Sequence, residues 1–570
     1  MNRRSLFSKA TNPGALIALT LLILIGGCDS VKVTRCFTNG AVASGSAIAS
    51  EVGREIFERG GNAFDVAVGV GFALAVVKPQ AGNIGGGGFA VLREAKTGQV
   101  LTLDFRETAP SAATRDMFLD DSGEVIENIS TEGALSAGVP GTVAGLYALW
   151  EQRGSLPWAD LVTLAAELAD TGFVLSEHLA ATLSEYRKEL DVFPETEQLL
   201  FPGGATPRAG DRLVLKDLAG TLYLIAAEGP EAFYEGPVAD HIVACMEKHG
   251  GLITRADLGN YHPVWRQPVH FTFDSLDIYS MPPPSSGGII LGEILKLLEP
   301  FELSSFTSRS PEQIHLLCEA ARLAYADRAE YLGDPDFHDN PGGLLDSAYL
   351  ADRRRKIPRN EAGNSAEIRA GNPLKYEPDH TTHFSVCDRE GNMVAITVSL
   401  NAGFGSKLAV EKAGFLLNCE MDDFAVKPGY PNLWGLIGSE ANQIEAGKRM
   451  LSSMAPTLVL KNRKPCLVLG SRGGSKIITA VAQAIIDCSR FNLPLREIAS
   501  LPRFHHQWLP DVIYLEKDGF DPAVRQKLID MGHDVQDRPA YGGLHMIGID
   551  ASGLLCAVGD SRDDGAVAGY

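Results

Sequence analysis

Residues 381–400 constrain the fold more tightly than any other stretch of the chain. Residues 381–387 alternate in polarity, Asp388-Arg389-Glu390-Gly391-Asn392 is turn chemistry, and residues 393–400 are β-branched and alternating. Two such runs around a short polar turn read as a β-hairpin. A turn centred on Glu390 sets Thr381 opposite Ser399, give or take a bulge, and opposed residues of a hairpin share one face. Both hydroxyls are therefore expected on the same side of the sheet.

Around this hairpin the pattern is mixed. Residues 44–77 read as two helices interrupted by Gly60-Gly61-Asn62, and the glycine run 85–88 leads into the strand-like Phe89-Ala90-Val91-Leu92. Further on, Ile314, Leu317, Ala321 and Ala324 recur at helical spacing until Gly333-Asp334-Pro335 stops them. Helices and strands alternate without a long repeat, which implies an α+β or layered α/β protein. Residues 353–379 are charged, rich in Pro, Gly and Asn, and nearly without apolar periodicity, as expected of an exposed linker.

Charge and targeting signals bound the functional classes. The 570 residues carry a formal net charge of -20, which repels phosphate backbones and argues against a nucleic-acid partner. Arg3 and Arg4, an apolar run over residues 15–25 and then Gly26-Gly27-Cys28 have the layout of a signal peptide. Ile25-Gly26-Gly27-Cys28 also resembles a bacterial lipoprotein box, in which Cys28 receives the lipid. Residues 1–27 are then a lipoprotein-type signal peptide and 28–40 a tether, on a protein exported to the periplasmic side of a bacterial membrane. Eight further cysteines, at 36, 245, 318, 387, 419, 466, 488 and 556, contain no C-x-x-C pair. An exported protein has the opportunity to join some of them, in a pairing the sequence leaves open.

A threonine hydroxyl is a poor nucleophile without a base beside it. Were Thr381 an N-terminus, its own α-amine, with a reference pKa of roughly 7.7–8.0, would be that base. An isolated Thr-Thr pair usually just opens a strand, so the weight falls on its surroundings. Thr381-Thr382-His383-Phe384-Ser385, the run NCEMDDF at 418–424, Lys427-Pro428-Gly429, Ser452-Ser453-Met454, Gly473-Gly474-Ser475 and Pro502-Arg503-Phe504-His505-His506-Gln507 together resemble the γ-glutamyltranspeptidase family. Upstream, Gly60-Gly61-Asn62-Ala63, residues 85–89, Asp104-Phe105-Arg106-Glu107-Thr108-Ala109-Pro110, PPPSSGG at 282–288 and AYADRAEYLGDPDF at 324–337 resemble the same family in the same order.

That resemblance implies a four-layer αββα sandwich of the N-terminal nucleophile hydrolase type. It also implies autocatalytic cleavage between His380 and Thr381 into a large fragment, 41–380, and a small catalytic one, 381–570, which stay together as a heterodimer. The activity implied is transfer of a γ-glutamyl group from glutathione or another γ-glutamyl compound to water, an amino acid or a peptide, with no cofactor and no metal. Thr381 would be the nucleophile, and Ser399, where the family often has threonine, would hydrogen-bond it. Gly473 and Gly474 would form the oxyanion hole, since two glycines let backbone N–H groups approach without a Cβ in the way.

The donor's α-amino acid end is a zwitterion and asks for both signs of charge. Arg106 offers a planar fork to the carboxylate, helped by the Ser452 and Ser453 hydroxyls. Glu420, Asp423 and Asn401 are acceptors for the ammonium. Residues 428–442 resemble a lid, with Trp434 near its gate position. The glycine run 85–88 lacks the G-K-[ST] ending of a phosphate cradle. His380 with His383, and His505 with His506, lack companion ligands at zinc spacing. Two rivals stay open: a cephalosporin or glutaryl acylase on the same fold, and a catalytically dead binding lipoprotein.

Overall fold

The computed structural model describes residues 34–371 and 382–570. Two seven-stranded sheets form its centre. The first runs from edge to edge as Thr34–Phe37, Leu555–Val558, His545–Ile549, Lys464–Gly470, Thr457–Lys461, Leu276–Ser280 and Val269–Phe273. The second runs as Ala566–Gly569, Gly40–Ser44, Thr382–Asp388, Met393–Ser399, Gly87–Arg93, Val100–Phe105 and Val264–Arg266. All neighbouring strands within them are antiparallel.

Strand alternation divides the apolar side chains among three separate cores. Met393 and Ala395 face inward to meet Leu458, Leu460 and Val468 between the sheets, while Val394, Ile396 and Val398 face outward. The outward set of the second sheet packs against helices Ala47–Glu58, Ala63–Val77 and Thr142–Arg153, with Trp158–Thr171 and Lys216–Glu228 packed behind them. On the far side of the first sheet, Val459, Leu467 and Leu469 pack against Gly287–Leu298, Pro311–Tyr331 and Lys476–Ser489. Helix, sheet, sheet and helix layers make the expected αββα sandwich.

Local chemistry explains the elements that carry the site. The two expected helices appear at Ala47–Glu58 and Ala63–Val77, and between them Gly60 has a φ of +90°. Asn62 caps the second by accepting from the N–H groups of Phe64 and Asp65, while Asp65 accepts from the Asn62 N–H, a capping box. Every residue of that helix is buried.

In the hairpin Thr382 lies opposite Val398 and Cys387 opposite Met393, the register of a turn centred on Glu390. The glycine run explains itself by packing. A Cβ on Gly85, Gly86, Gly87 or Gly88 would come within 2.5 Å of the carbonyl oxygens of Leu416, Ser399, Phe105 and Thr397 respectively. These glycines let strands close on one another, which leaves no room for a phosphate.

After helix Ser347–Arg354, the described part of the expected linker, residues 355–371, is irregular and exposed over much of its length, and contacts anchor the segment at a few points. Arg353 is buried against Asp327 at 2.9 Å, the Ala362 N–H donates to the Met531 carbonyl, and Trp508 Nε1 donates to the Ser365 carbonyl. Most of its charged side chains, among them Arg355, Lys356, Arg359, Glu361, Glu367 and Arg369, are exposed. Residues 372–379 lie outside the described residues, as do His380, Thr381, Cys28 and the whole signal segment. No described helix is long and apolar enough to cross a membrane.

Candidate active site

Arg106 leaves the end of strand Val100–Phe105 with its backbone fixed on both sides. Its N–H donates to Asp104 Oδ1 at 3.0 Å, and its carbonyl accepts from the Tyr261 hydroxyl at 2.9 Å. The fully buried guanidinium reaches across to the other half of the chain. Nε donates to the Met450 carbonyl at 3.1 Å, Nη1 meets Glu420 at 2.6 Å and Nη2 meets Asp423 at 2.6 Å. Both acids come from one 3₁₀ turn, Glu420–Asp423, in which residues three apart eclipse and so present their carboxylates side by side.

A third carboxylate, Glu107, stands 3.6 Å from Arg106 Nη1 and is also fully buried. It lies within the 104–110 motif, and no pattern in the sequence points to its role. Among the described residues, then, one guanidinium faces three acids. Burial pulls Arg106 down, but Glu420, Glu107 and Asp423 together hold it above its ordinary value. Burial pushes the Glu107 carboxyl well up, with Glu420 adding to the effect, and burial raises Glu420 despite Arg106. A cluster with this excess of acid is suited to receive one more cation.

Ser399 Oγ accepts from the Asn401 N–H at 2.7 Å. Asn401 occupies a left-handed φ of +70°, donates to the Cys419 carbonyl at 3.0 Å, and accepts from Trp434 Nε1 at 2.9 Å. Residues 428–442 are therefore bonded to the cluster. Asn432 Nδ2 donates to Asp423 at 3.3 Å, and the Leu433 N–H donates to Asp422 at 3.0 Å.

Gly473 and Gly474 lie directly before helix Lys476–Ser489, with φ values of +125° and +68° that favour glycine. Neither N–H donates to any described residue. They sit at the positive end of the helix dipole, where developing negative charge is favoured. Ser475 next to them donates to Gln507 Oε1 at 2.6 Å, and Gln507 Nε2 donates to the Trp434 carbonyl at 3.2 Å. Hydrogen bonds thus run from Ser475, beside the glycine pair, to residues 428–442, and from these to the acid cluster.

Ser452 and Ser453 are fully buried two and three residues beyond Met450, whose carbonyl holds Arg106. The Ser452 carbonyl accepts from the Ser286 N–H at 2.7 Å, which seats the PPPSSGG segment against it. Ser453 Oγ accepts from Nη2 of buried Arg328 at 3.3 Å. Arg328 is a second cation near the serine pair that the sequence reading left unassigned, although it lies in the 324–337 motif.

His383, His505 and His506, the described members of the two histidine pairs, each bond other side chains. His383 bonds Thr397 and Ser385, His505 bonds Thr479 and Gln507, and His506 bonds Asp511. A different trio, His315, Glu319 and His533, has ligand atoms close enough to share an ion. Its groups are already committed. The two imidazoles bond each other at 2.8 Å, His315 Nε2 donates to the Pro358 carbonyl, and both Glu319 oxygens face the Arg322 guanidinium.

A buried arginine and two acids on one turn, a strand-end serine and a glycine pair at a helix start form one connected arrangement. A family model for gamma-glutamyltranspeptidase matches residues 49–570. The chain belongs to the gamma-glutamyltranspeptidase family. It is 45% identical to the glutathione hydrolase proenzyme of Escherichia coli K12, over 93% of this chain and 92% of that one. It is also 34% identical to the acylase ACY 1 proenzyme of Pseudomonas sp. strain SE83, over 93% of each. Among solved structures it is similar to the gamma-glutamyltranspeptidase of Helicobacter pylori, with 44% identity and a TM-score of 0.56 over 57% of this chain and 93% of that one. A cephalosporin acylase from Bacillus halodurans superposes with a TM-score of 0.84 at 25% identity, over 98% and 99%. This gamma-glutamyltranspeptidase family member thus has relatives named for two kinds of acyl chemistry, and the site has to discriminate between them.

Proposed function

We propose that this chain is a γ-glutamyl transferase and glutathione hydrolase, made as a precursor that cuts itself before Thr381. The observation that carries the choice of substrate is the pair of buried acids, Glu420 and Asp423, beside Arg106 under the lid. An α-amino acid zwitterion replaces these ion pairs charge for charge, its carboxylate turning to Arg106, Ser452 and Ser453, its ammonium to Glu420, Asp423 and Asn401. A glutaryl side chain lacks the ammonium and would leave the acids without the added counter-charge. Several relatives are named proenzymes, which supports processing of a precursor.

Thr382 pairs with Val398 in the hairpin, which supports Ser399 as the hydroxyl that serves residue 381. In the proposed cycle, Thr381 Oγ attacks the γ-carbonyl as its proton passes to the Thr381 amine. The N–H groups of Gly473 and Gly474 receive the oxyanion. Collapse expels the donor's amine, which takes that proton and leaves a γ-glutamyl-threonine ester for water or an amino acceptor to resolve. N-terminal sequencing of the smaller fragment should begin Thr-Thr-His-Phe-Ser, and a γ-glutamyl anilide should release its amine faster when a dipeptide acceptor is present. Thr381→Ala should stay one uncut, inactive chain, whereas Thr381→Ser should still cut. An alanine variant that cleaves at the same bond would overturn the scheme.

The export reading rests on the first 28 residues and is supported by a disulfide between Cys36 and Cys556, a bond that persists in oxidising compartments. Lipid on Cys28 would hold the enzyme at the membrane. Cys28→Ala should release it to the soluble fraction, and an equal membrane yield from the variant would remove the lipid anchor.

A further inference from the structure

Residue 381 divides both sheets in an unusual way. In the first sheet, Leu555–Val558, His545–Ile549, Lys464–Gly470 and Thr457–Lys461 follow the proposed cut, and they are flanked by Thr34–Phe37 at one edge and Leu276–Ser280 with Val269–Phe273 at the other, which precede it. The Thr34–Phe37 strand is the weakest of these attachments. It is four residues long, lies at the sheet edge and pairs, among the described strands, with Leu555–Val558 alone. Edge strands of this length fray at little cost.

Cys36 and Cys556 are directly opposed in that pair and are joined by a disulfide. We propose that this bond is a covalent link between the two fragments of the mature enzyme, so that the cleaved protein remains one disulfide-joined molecule. The proposal rests on cleavage before Thr381, which assigns Cys36 to the large fragment and Cys556 to the small one.

The rest of the cysteine set favours this pairing. Cys245, Cys318, Cys387 and Cys419 are buried as free thiols, and burial pushes each of them up, Cys245 to about 12, away from the thiolate that exchange requires. Cys466 and Cys488 are half-buried, both lie after residue 381, and burial raises them as well. Cys36 is exposed and Cys556 half-exposed, so an oxidant reaches them without unfolding the chain. The bond forms by exchange with an exported disulfide oxidant. One cysteine thiolate attacks the oxidant's disulfide, the second displaces it from the mixed disulfide, and the oxidant departs as a dithiol with two electrons and two protons.

Once the backbone is cut, this link changes the order of reassembly. Fragments interleaved in two sheets refold in a concentration-dependent step when separate, but as one molecule when joined.

The test uses exported, mature enzyme whose free thiols are alkylated before denaturation. Without reductant the denaturing gel should show one band of the combined mass, which reductant should split into two. A non-reducing protease digest should contain the Cys36 peptide joined to the Cys556 peptide. Cys36→Ser should run as two bands on both gels with unchanged turnover, and its regain of activity after denaturation should slow on dilution where the wild type's does not. Two bands from wild type without reductant, or a Cys36→Ser variant that stays joined, overturns the tether. One band even after reduction overturns the cleavage instead, and the digest then still reads whether the bond exists.

Discussion

Replacing Asp423 by Asn tests whether this pocket was built for an α-ammonium group. The substitution keeps the shape, retains an acceptor oxygen and deletes one charge from a group that is 2% exposed. Two losses follow, and they have to be separated. One is common to every substrate, because Arg106 loses its 2.6 Å ionic partner and its orientation loosens. The other arises only if the substrate carries an ammonium.

A cycle of four measurements isolates the second loss: wild type and Asp423→Asn, each with a γ-glutamyl anilide and with the glutaryl anilide that lacks only the amino group. Disturbance of Arg106 cancels in the ratio of ratios, leaving the coupling between Asp423 and the ammonium. A hydrogen bond to a charged group contributes about 1.5–3 kcal/mol. The kcat/KM of the γ-glutamyl donor should therefore fall roughly 10- to 150-fold further than that of the glutaryl one. Thermal melting of both proteins checks that the comparison is made on folded enzyme. Equal losses on the two donors would refute the reasoning and move the reading to the acylase side of the family.

Other expectations are simpler. Arg106→Lys supplies a point charge that cannot hold Met450, Glu420 and Asp423 at once, so donor KM should rise by a factor equivalent to about 1–3 kcal/mol, and an unchanged KM would remove Arg106 from the site. Gly474→Ala forces a Cβ onto a φ of +68° and tilts the proposed oxyanion donors; kcat should fall by about a hundredfold or more with KM little moved, whereas a purely structural glycine would lower the melting temperature and spare kcat. The Glu107 carboxyl, lifted well above its ordinary 4.5 chiefly by burial, binds its proton more tightly in the folded state. Its stabilising contribution is thus full below the unfolded value and is lost as pH rises through the folded one. Glu107→Gln does not titrate, so its melting temperature relative to wild type should climb as pH rises from about 4.5, and a flat difference would mean that Glu107 is ionised at no cost.

What the sequence disclosed and what it withheld divide along physical lines. The hairpin register was legible because it depends on a local turn and on period-two alternation, and both survive in the Thr382 to Val398 and Cys387 to Met393 pairs. The helix break at Gly60-Gly61-Asn62 was legible for the same reason, through its capping box. Arg106, Glu420 and Asp423 were legible only as matches to a family pattern, since no local rule brings residue 106 against residue 423. Glu107 was missed because neighbours on a chain leaving a strand usually point apart. Here its carboxylate lies against the backbone of Gly87, where a Cβ would come within 2.7 Å of Oε2.

The irregular, exposed character of residues 355–371 was legible in their Pro, Gly and charge. The anchors at Arg353 and Ser365 were not, because only tertiary contacts make them. The cysteine pairing was out of reach in principle, as residues 520 positions apart are brought together by the order of strands in a sheet. That same strand order gives the protein its particular economy. The chain threads both sheets before residue 381 and again after it, so the proposed cut leaves strands of both fragments paired in each sheet. Self-cleavage can thus create a catalytic amine without loosening the pocket that has to use it.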